Sequence, residues 1–251
     1  MNRPLIATLA YLVVGVASAA GAQAADPHGM STHGDMPPMM DSAWFSHALL
    51  DRMEARYGSA APDMRWQGQA WIGGDYDKLK VKTQGILKPG GRVEDGRHEL
   101  LYDRAIFRYM DLQLGVRADL DSRVGRTWGA VGIQGVAPLF IDYELTAYLS
   151  DRGHAAARVA LATDVLLTQS LVLQPEIEAN LYSKADPRRG IGTGFADLDV
   201  GLRLRYEITR KFAPYVGVSY TQKFGETARL GSLHAEHDTA WRFLIGIRGW
   251  F

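Results

Sequence analysis

Residues 241–251 read Trp-Arg-Phe-Leu-Ile-Gly-Ile-Arg-Gly-Trp-Phe. The odd-numbered positions are apolar and carry aromatic residues at both ends, whereas the even-numbered positions include Arg242 and Arg248. Alternate side chains of a strand point to opposite faces of the sheet. A strand of about ten residues that has one apolar face, one polar face and aromatic residues at its ends is typical of a transmembrane β-barrel. The pattern therefore predicts a membrane-spanning strand at the end of the chain.

The two ends of the chain predict export to the bacterial outer membrane. Arg3 precedes a mostly apolar run over residues 5–20, and residues 22–24 are Ala-Gln-Ala. This arrangement is typical of a cleaved secretory signal peptide, so we expect residues 1–24 to be removed. A retained anchor helix is the alternative. A barrel strand that ends in Phe251 also resembles the signal read by the outer-membrane insertion machinery.

The composition narrows the possible functions. The chain contains 28 basic and 28 acidic residues, so its net charge gives no reason to expect nucleic acid as a partner. It contains no Cys, which excludes disulfides and thiolate metal sites. Beyond the signal there is no apolar run of about eighteen residues, so we expect no transmembrane helix.

Several other segments alternate in polarity as strands do. The clearest is 196–208, where even-numbered apolar residues from Leu198 to Ile208 face one way and charged residues such as Asp199 and Arg203 face the other. Similar patterns occur at 171–182, 112–120 and 78–83, and further strands are predicted at about 65–74, 98–108, 127–137, 140–150, 154–167 and 212–223.

The lengths of the connections predict an orientation. Counting back from the C-terminus, short connections at 209–211, 168–169, 138–139, 109–110 and 75–77 alternate with longer ones at 224–239, 183–195, 151–153, 121–126 and 88–97. Outer-membrane barrels have short periplasmic turns and longer external loops. We therefore expect the C-terminus to lie in the periplasm.

An even number of strands requires one further strand at the start of the barrel. The segments above amount to eleven strands, whereas single-chain bacterial barrels have an even number. Residues 46–57 are the available candidate, because Arg52, Glu54 and Arg56 alternate with apolar residues. The same stretch also fits an amphipathic helix. We predict an all-β antiparallel transmembrane barrel of about twelve strands over residues 46–251, with ten strands as the alternative.

A Met- and His-rich segment precedes the barrel. Residues 25–45 form a predicted disordered leader whose candidate metal ligands are His28, Met30, His33, Met36, Met39 and Met40. Thioether sulfur favours Cu(I), and imidazole also suits Cu(II). The leader is therefore predicted to bind copper, as Cu(I), Cu(II) or both. A disordered leader with chance methionines is the alternative.

Five stretches carry a resemblance to a known family. They are Trp71–Leu79 (WIGGDYDKL), Asp111–Arg117 (DLQLGVR), Leu166–Gln169 (LLTQ), Gly201–Glu207 (GLRLRYE) and Phe212–Val218 (FAPYVGV). With the strand pattern and the leader, they resemble the copper resistance protein B (CopB) family over nearly the whole mature chain. The resemblance implies an outer-membrane barrel that protects against excess copper, encoded with periplasmic copper-handling proteins. Its expected partners are outer-membrane lipid, copper ions and periplasmic copper-handling proteins.

Charged residues inside the barrel form a second candidate site. The inward-facing carboxylates we single out are Glu144, Glu176, Glu178, Asp197 and Asp199. They either pair with inward-facing arginines and fill the barrel, or they line a path for a cation. His47, His234 and His237 are additional candidate copper ligands, the last two in the final external loop.

Two other functional classes compete with copper handling. One is an outer-membrane hydrolase, such as a lipase or an omptin-like protease, for which His237-Asp238 is the only hint. A hydrolase needs a nucleophile held near its base, and no G-x-S-x-G motif occurs. The other is a purely structural barrel, which would not explain the leader. We therefore predict that the chain is a copper-binding protein and not an enzyme.

Overall fold

The computed structural model describes residues 44–59, 61–121, 125–187, 189–232 and 238–251. The predicted signal peptide, the six candidate ligands of the leader, His234 and His237 all lie outside these ranges. In the described ranges, no helix is long and apolar enough to cross a membrane.

The structure is almost entirely antiparallel sheet. Besides a 3-10 helix at Pro138–Phe140 and one helix, α1 (Gly225–Ser232), the described residues form thirteen strand segments. These are β1 (Phe45–Gly58), β2 (Asp63–Gly73), β3 (Asp77–Lys88), β4 (Arg92–Phe107), β5 (Met110–Asp119), β6 (Arg126–Ala137), β7 (Ile141–Ser150), β8 (Ala155–Thr163), β9 (Val165–Leu166), β10 (Leu171–Tyr182), β11 (Gly194–Tyr206), β12 (Phe212–Lys223) and β13 (Thr239–Trp250).

The sheet closes into a barrel of twelve strands. Each strand pairs with its neighbours in sequence, and β13 pairs with β1. The closing contact ends in two backbone hydrogen bonds between Ala48 and Phe251, of 3.0 and 2.8 Å. β8 and β9 both pair with β10, so they form one barrel strand that is interrupted at Asp164. The twelve-stranded prediction is confirmed, and the ten-stranded alternative and the helix at 46–57 are wrong.

One predicted long loop is instead a tight hairpin. Residues 88–97 were expected to form an external connection, but β3 continues to Lys88 and β4 begins at Arg92. Gly90 and Gly91 turn the chain with φ of 84° and 78°, which glycine adopts without steric cost. The stretch lacks alternation because a bulge lies next to Asp95, whose φ is 50°. Bulges disrupt the two-residue period from which strands are predicted.

The two ends of the barrel differ in their connections. At the end that carries Trp44 and Phe251, here called the terminal end, no connection exceeds five residues. At the opposite end, here called the loop end, the connections include 183–193 and 224–238. The predicted alternation of short and long connections is therefore present except at the hairpin of 89–91 and at 151–154, which is no longer than the connection 167–170 at the terminal end.

The outer surface is apolar around the barrel. On β13, Phe243 and Ile245 are 68% and 61% exposed, whereas Leu244 between them points inward and is 1% exposed. Aromatic residues mark both ends of this strand, with Trp241 near the loop end and Phe251 at the terminal end. Such an exterior matches the lipid-facing belt of a membrane barrel.

The interior is not uniformly polar. Leu101, Trp128, Ala130, Tyr148 and Ala156 form a buried apolar cluster inside the barrel. Because the apolar side chain of Leu101 occupies an inward position, residues 98–108 alternate in polarity less clearly than the other strands. The polar atoms of the two aromatic residues are satisfied: Trp128 donates to Asp119 at 2.9 Å and Tyr148 donates to Glu99 at 2.7 Å.

Introducing a charged side chain on the outer face of β13 tests whether this face contacts lipid. We expect Ile245→Arg to destabilise the barrel by about 2–4 kcal/mol, because Ile245 lies near mid-strand and the cost is greatest near the bilayer midplane. The matched variant Thr239→Arg, at the first residue of the same strand and on the same face, should cost about 0–1 kcal/mol. Urea unfolding in lipid bilayers measures both. Equal costs for the two variants would contradict the assigned belt.

Candidate functional site

A first layer of ion pairs crosses the lumen. The carboxylate of Glu176 on β10 contacts the guanidinium groups of Arg52 and Arg203, the latter at 2.9 Å. Arg203 also donates to Glu54 through Nε and Nη2, at 3.1 and 3.3 Å. The Tyr215 hydroxyl donates to the same Glu54 at 3.0 Å. This layer joins β1, β10, β11 and β12 across the barrel.

A second layer lies one step towards the loop end. Glu178 accepts from Arg65 at 3.2 Å and pairs with Arg158 at 2.9 Å. Arg65 lies 3.6 Å from Asp199, which accepts a hydrogen bond from Thr221 at 3.1 Å. All of these side chains point inward from different strands, so the second layer also spans the lumen.

The two remaining carboxylates also face the interior. Glu144 pairs with Lys82 at 2.9 Å, and Asp197 accepts from Asn180 at 2.8 Å. The structure thus places all five of the carboxylates we singled out inside the barrel, each with a polar partner. Glu176 belongs to the first layer of ion pairs, and Glu178 and Asp199 belong to the second. Glu144 belongs to neither layer.

Two cavities lie on either side of the arginine–carboxylate layers. The larger, of about 550 Å³, is lined by Asp51, Asp142 and Glu144 and extends towards the terminal end. The second, of about 420 Å³, extends towards the loop end. Gln84 and Arg97 line both cavities. Glu176 lines the larger cavity and Glu178 lines the second, so the two layers lie where the cavities approach each other.

The described residues do not form a ready metal site. No group of three or more His, Asp or Glu side chains within the described ranges is arranged to hold a metal ion. The candidate copper ligands are concentrated in the part of the chain before Trp44.

His47 occupies an aromatic sandwich at the terminal end. Its ring lies 6.1 Å from the ring of Trp71 and 5.6 Å from that of Trp250, with interplanar angles of 21° and 25°. The ammonium groups of Lys78 and Lys211 lie over the two indole rings, at 5.4 and 5.3 Å. Stacking of this kind fixes the imidazole at the barrel mouth.

Several side chains of both sites were not among the predicted site residues. Arg52, Arg65 and Glu54 belong to the arginine–carboxylate layers, and their inward alternation on β1 and β2 was the available signal. Trp71 and Trp250 meet at His47 only because β1 pairs with both β2 and β13. That contact depends on barrel closure, which no local pattern reports.

Comparison with known proteins identifies the family of the chain. The family model described as copper resistance protein B precursor (CopB) matches residues 44–251, which is the whole barrel. The chain belongs to the copper resistance protein B family. Copper resistance protein B of Escherichia coli is 42% identical over 211 residues, covering 84% of this chain and 71% of that protein. The homologue from Pseudomonas syringae pv. tomato is 39% identical with the same coverage.

Membership of the copper resistance protein B family supports a role in copper resistance, and both relatives are named as resistance proteins rather than as enzymes. The solved NanC porin matches the barrel with a TM-score of 0.54 and 13% identity, covering 81% of this chain and 98% of that one. At this identity the likeness shows the fold alone. The family and the closed barrel with its apolar exterior together indicate an outer-membrane protein.

Proposed function

We propose that this chain binds copper at the outer membrane, with the leader at residues 25–45 capturing the ion and presenting it to the barrel mouth. The observation that carries the proposal is the concentration of Met and His side chains immediately before a barrel of the copper resistance protein B family. Its partners would be copper ions, outer-membrane lipid and periplasmic copper-handling proteins.

The proposed orientation places the leader in the periplasm. The described chain begins at the terminal end, where Phe251 also lies and the connections are short. Short connections are periplasmic in outer-membrane barrels. The leader would then meet copper on the side where periplasmic carriers could deliver or accept it.

The proposed ligands divide by chemistry. Met30, Met36, Met39 and Met40 would hold Cu(I) through thioether sulfur, and His28 and His33 would serve either oxidation state. His47 would add an imidazole at the mouth. His234 and His237, which lie outside the described ranges, remain secondary candidates.

We also propose the lumen as the path of the ion. Copper would exchange between the two cavities along Glu176 and Glu178, with neither arginine nor the buried apolar cluster acting as a ligand. Each carboxylate is held by two arginines, so passage requires these ion pairs to open. The lumen is therefore proposed as a gated path rather than an open pore.

Replacing the four leader methionines by leucine tests the capture step in cells. Leucine keeps the apolar volume and removes the sulfur, so copper tolerance conferred by the protein should fall towards that of cells without it, while the barrel is still exported. The matched control replaces Met53 and Met64, which lie in β1 and β2, by leucine. The measurement is the copper concentration that halves growth. Unchanged tolerance in the leader variant, or equal loss in the control, would overturn the proposed role.

A further inference from the structure

We propose that the leader docks back into a basic pocket at the terminal mouth of the barrel, through the carboxylates of Asp35 and Asp41. The pocket, here called the mouth pocket, has a volume of about 190 Å³. Its charged lining comprises the basic Arg205, Arg210, Lys211 and Arg248 and the acidic Glu207, and its aromatic lining comprises His47, Phe212 and Trp250. The proposal rests on the proposed function, because the leader is its copper-capturing segment.

The mouth pocket has unused positive charge. Arg248 pairs with Asp51 at 3.1 Å, and Arg205 pairs with Asp164 at 2.8 Å. By contrast, neither Arg210 nor Lys211 has a carboxylate within ion-pair distance in the described ranges. Two basic groups at one mouth therefore remain available to an acidic segment.

Arg205 adds buried hydrogen-bond donors to the mouth pocket. The residue is 4% exposed, and its Nε and Nη1 atoms have no hydrogen-bond partner within the described residues. A buried donor without a partner costs free energy that a carboxylate oxygen would recover. Arginine also binds carboxylates in a planar two-point geometry. The pocket thus favours a carboxylate over a neutral group.

The leader has the complementary charge and sufficient reach. Residues 25–43 contain Asp26, Asp35 and Asp41 and no Lys or Arg. Asp41 precedes Trp44 by three residues, so it lies within about 10 Å of it, and nine residues allow Asp35 about 30 Å. Because His47 itself lines the pocket, the chain enters the barrel at the proposed docking site. A tethered ligand at this distance has a high effective concentration.

Docking would place copper ligands beside His47. Met39 and Met40 directly precede Asp41 in sequence, and the imidazole of His47 is held between Trp71 and Trp250. The contacts of the His47 ring within the described residues are stacking contacts with Trp71 and Trp250, which leave its nitrogens able to bind an ion arriving with the leader. The docked leader would thus present copper at the opening of the lumen.

The absence of native Cys makes the docking measurable by paired spin labels. Nitroxides at Gly34→Cys and Thr209→Cys, in the full chain in bilayers of zwitterionic lipid, report the distance from the leader to the turn beside the pocket. An undocked tether of ten residues would spread over an r.m.s. distance of about 18 Å. We expect one narrow distance peak, which broadens to the tether range in Arg210→Glu/Lys211→Glu. The control Arg108→Glu, at the same end but outside the pocket, should leave the peak narrow.

Swapping the charges of the leader and the mouth pocket provides a second test of docking. Adding Asp35→Arg/Asp41→Arg to the Arg210→Glu/Lys211→Glu variant should restore the narrow peak. A broad distribution in the unmodified chain, or a narrow peak that survives charge reversal of the pocket, would overturn the docking. So would displacement of the leader by anionic lipid, since the pocket would then prefer a lipid headgroup. Copper titration of the same samples distinguishes failure of the docking proposal from failure of the copper-capture proposal. If the leader is undocked but still binds copper, only the docking proposal is wrong.

Discussion

Replacing Arg203 with alanine is expected to lower the free energy of unfolding of the barrel by about 3–5 kcal/mol, the cost of removing one partner from a buried ion pair. Arg203 is 3% exposed and is shared by Glu54 and Glu176, which are 1% and 8% exposed. After its removal, Glu176 keeps Arg52, but Glu54 loses its arginine hydrogen bonds and, among the described residues, keeps the Tyr215 hydroxyl at 3.0 Å as its donor.

Urea unfolding of the reconstituted barrel, followed by tryptophan fluorescence, measures this cost. The matched control is Arg104→Ala, whose side chain is 61% exposed and lies 3.8 Å from Asp77. An exposed pair contributes at most about 1 kcal/mol. The double variant Arg203→Met/Glu54→Met should recover part of the loss, because apolar replacements of similar volume remove both charges together. Equal stability of the two alanine variants would show that the first arginine layer does not hold the barrel together.

The strand count and the two faces of each strand were predictable from local patterns. The alternation of residues 241–251 correctly predicts a strand with one lipid-facing and one lumenal face. The even number of strands required of a bacterial barrel correctly predicts that residues 46–57 form a strand, β1. These predictions succeed because a strand between lipid and lumen repeats every two residues. The hairpin at 89–91 was missed because a bulge breaks that period.

The contacts of the lumen were not predictable in the same way. Arg52 and Glu176 are 124 residues apart, and Arg203 and Glu54 are 149 apart. Which arginine meets which carboxylate depends on the stagger of all twelve strands around the barrel. The inward-facing charged residues could therefore be predicted from the sequence, whereas their arrangement into two arginine–carboxylate layers could not. The same holds for the His47 sandwich, since it needs the closing contact between β1 and β13.

Removal of residues 25–43 is expected to abolish most copper binding while the barrel remains folded. The leader contains six of the candidate ligands within residues 28–40, and the described barrel contributes no cluster of three metal-binding side chains. Soft thioethers and imidazoles bind copper well. By contrast, four of the five lumenal carboxylates singled out above, Glu144, Glu176, Glu178 and Asp199, already pair with basic groups. The barrel itself should keep its strands, because they begin only at Phe45.

A flexible Gly/Ser replacement of the same length provides the matched control for this deletion. It keeps the tether and removes the ligands, so it should lose copper to the same degree as the deletion. If the replacement retained copper, the barrel mouth rather than the leader would hold the ion. Zinc and calcium titrations of the full chain test whether the soft ligands select copper as expected.

Copper bound per folded barrel, measured on the purified full chain and on the chain without residues 25–43, tests the proposed role of the leader most directly. The measurement requires both proteins in the same lipid and at the same copper activity. We predict that the full chain binds copper and that the shortened, folded barrel loses most of it. Equal copper on the two proteins would contradict capture by the leader.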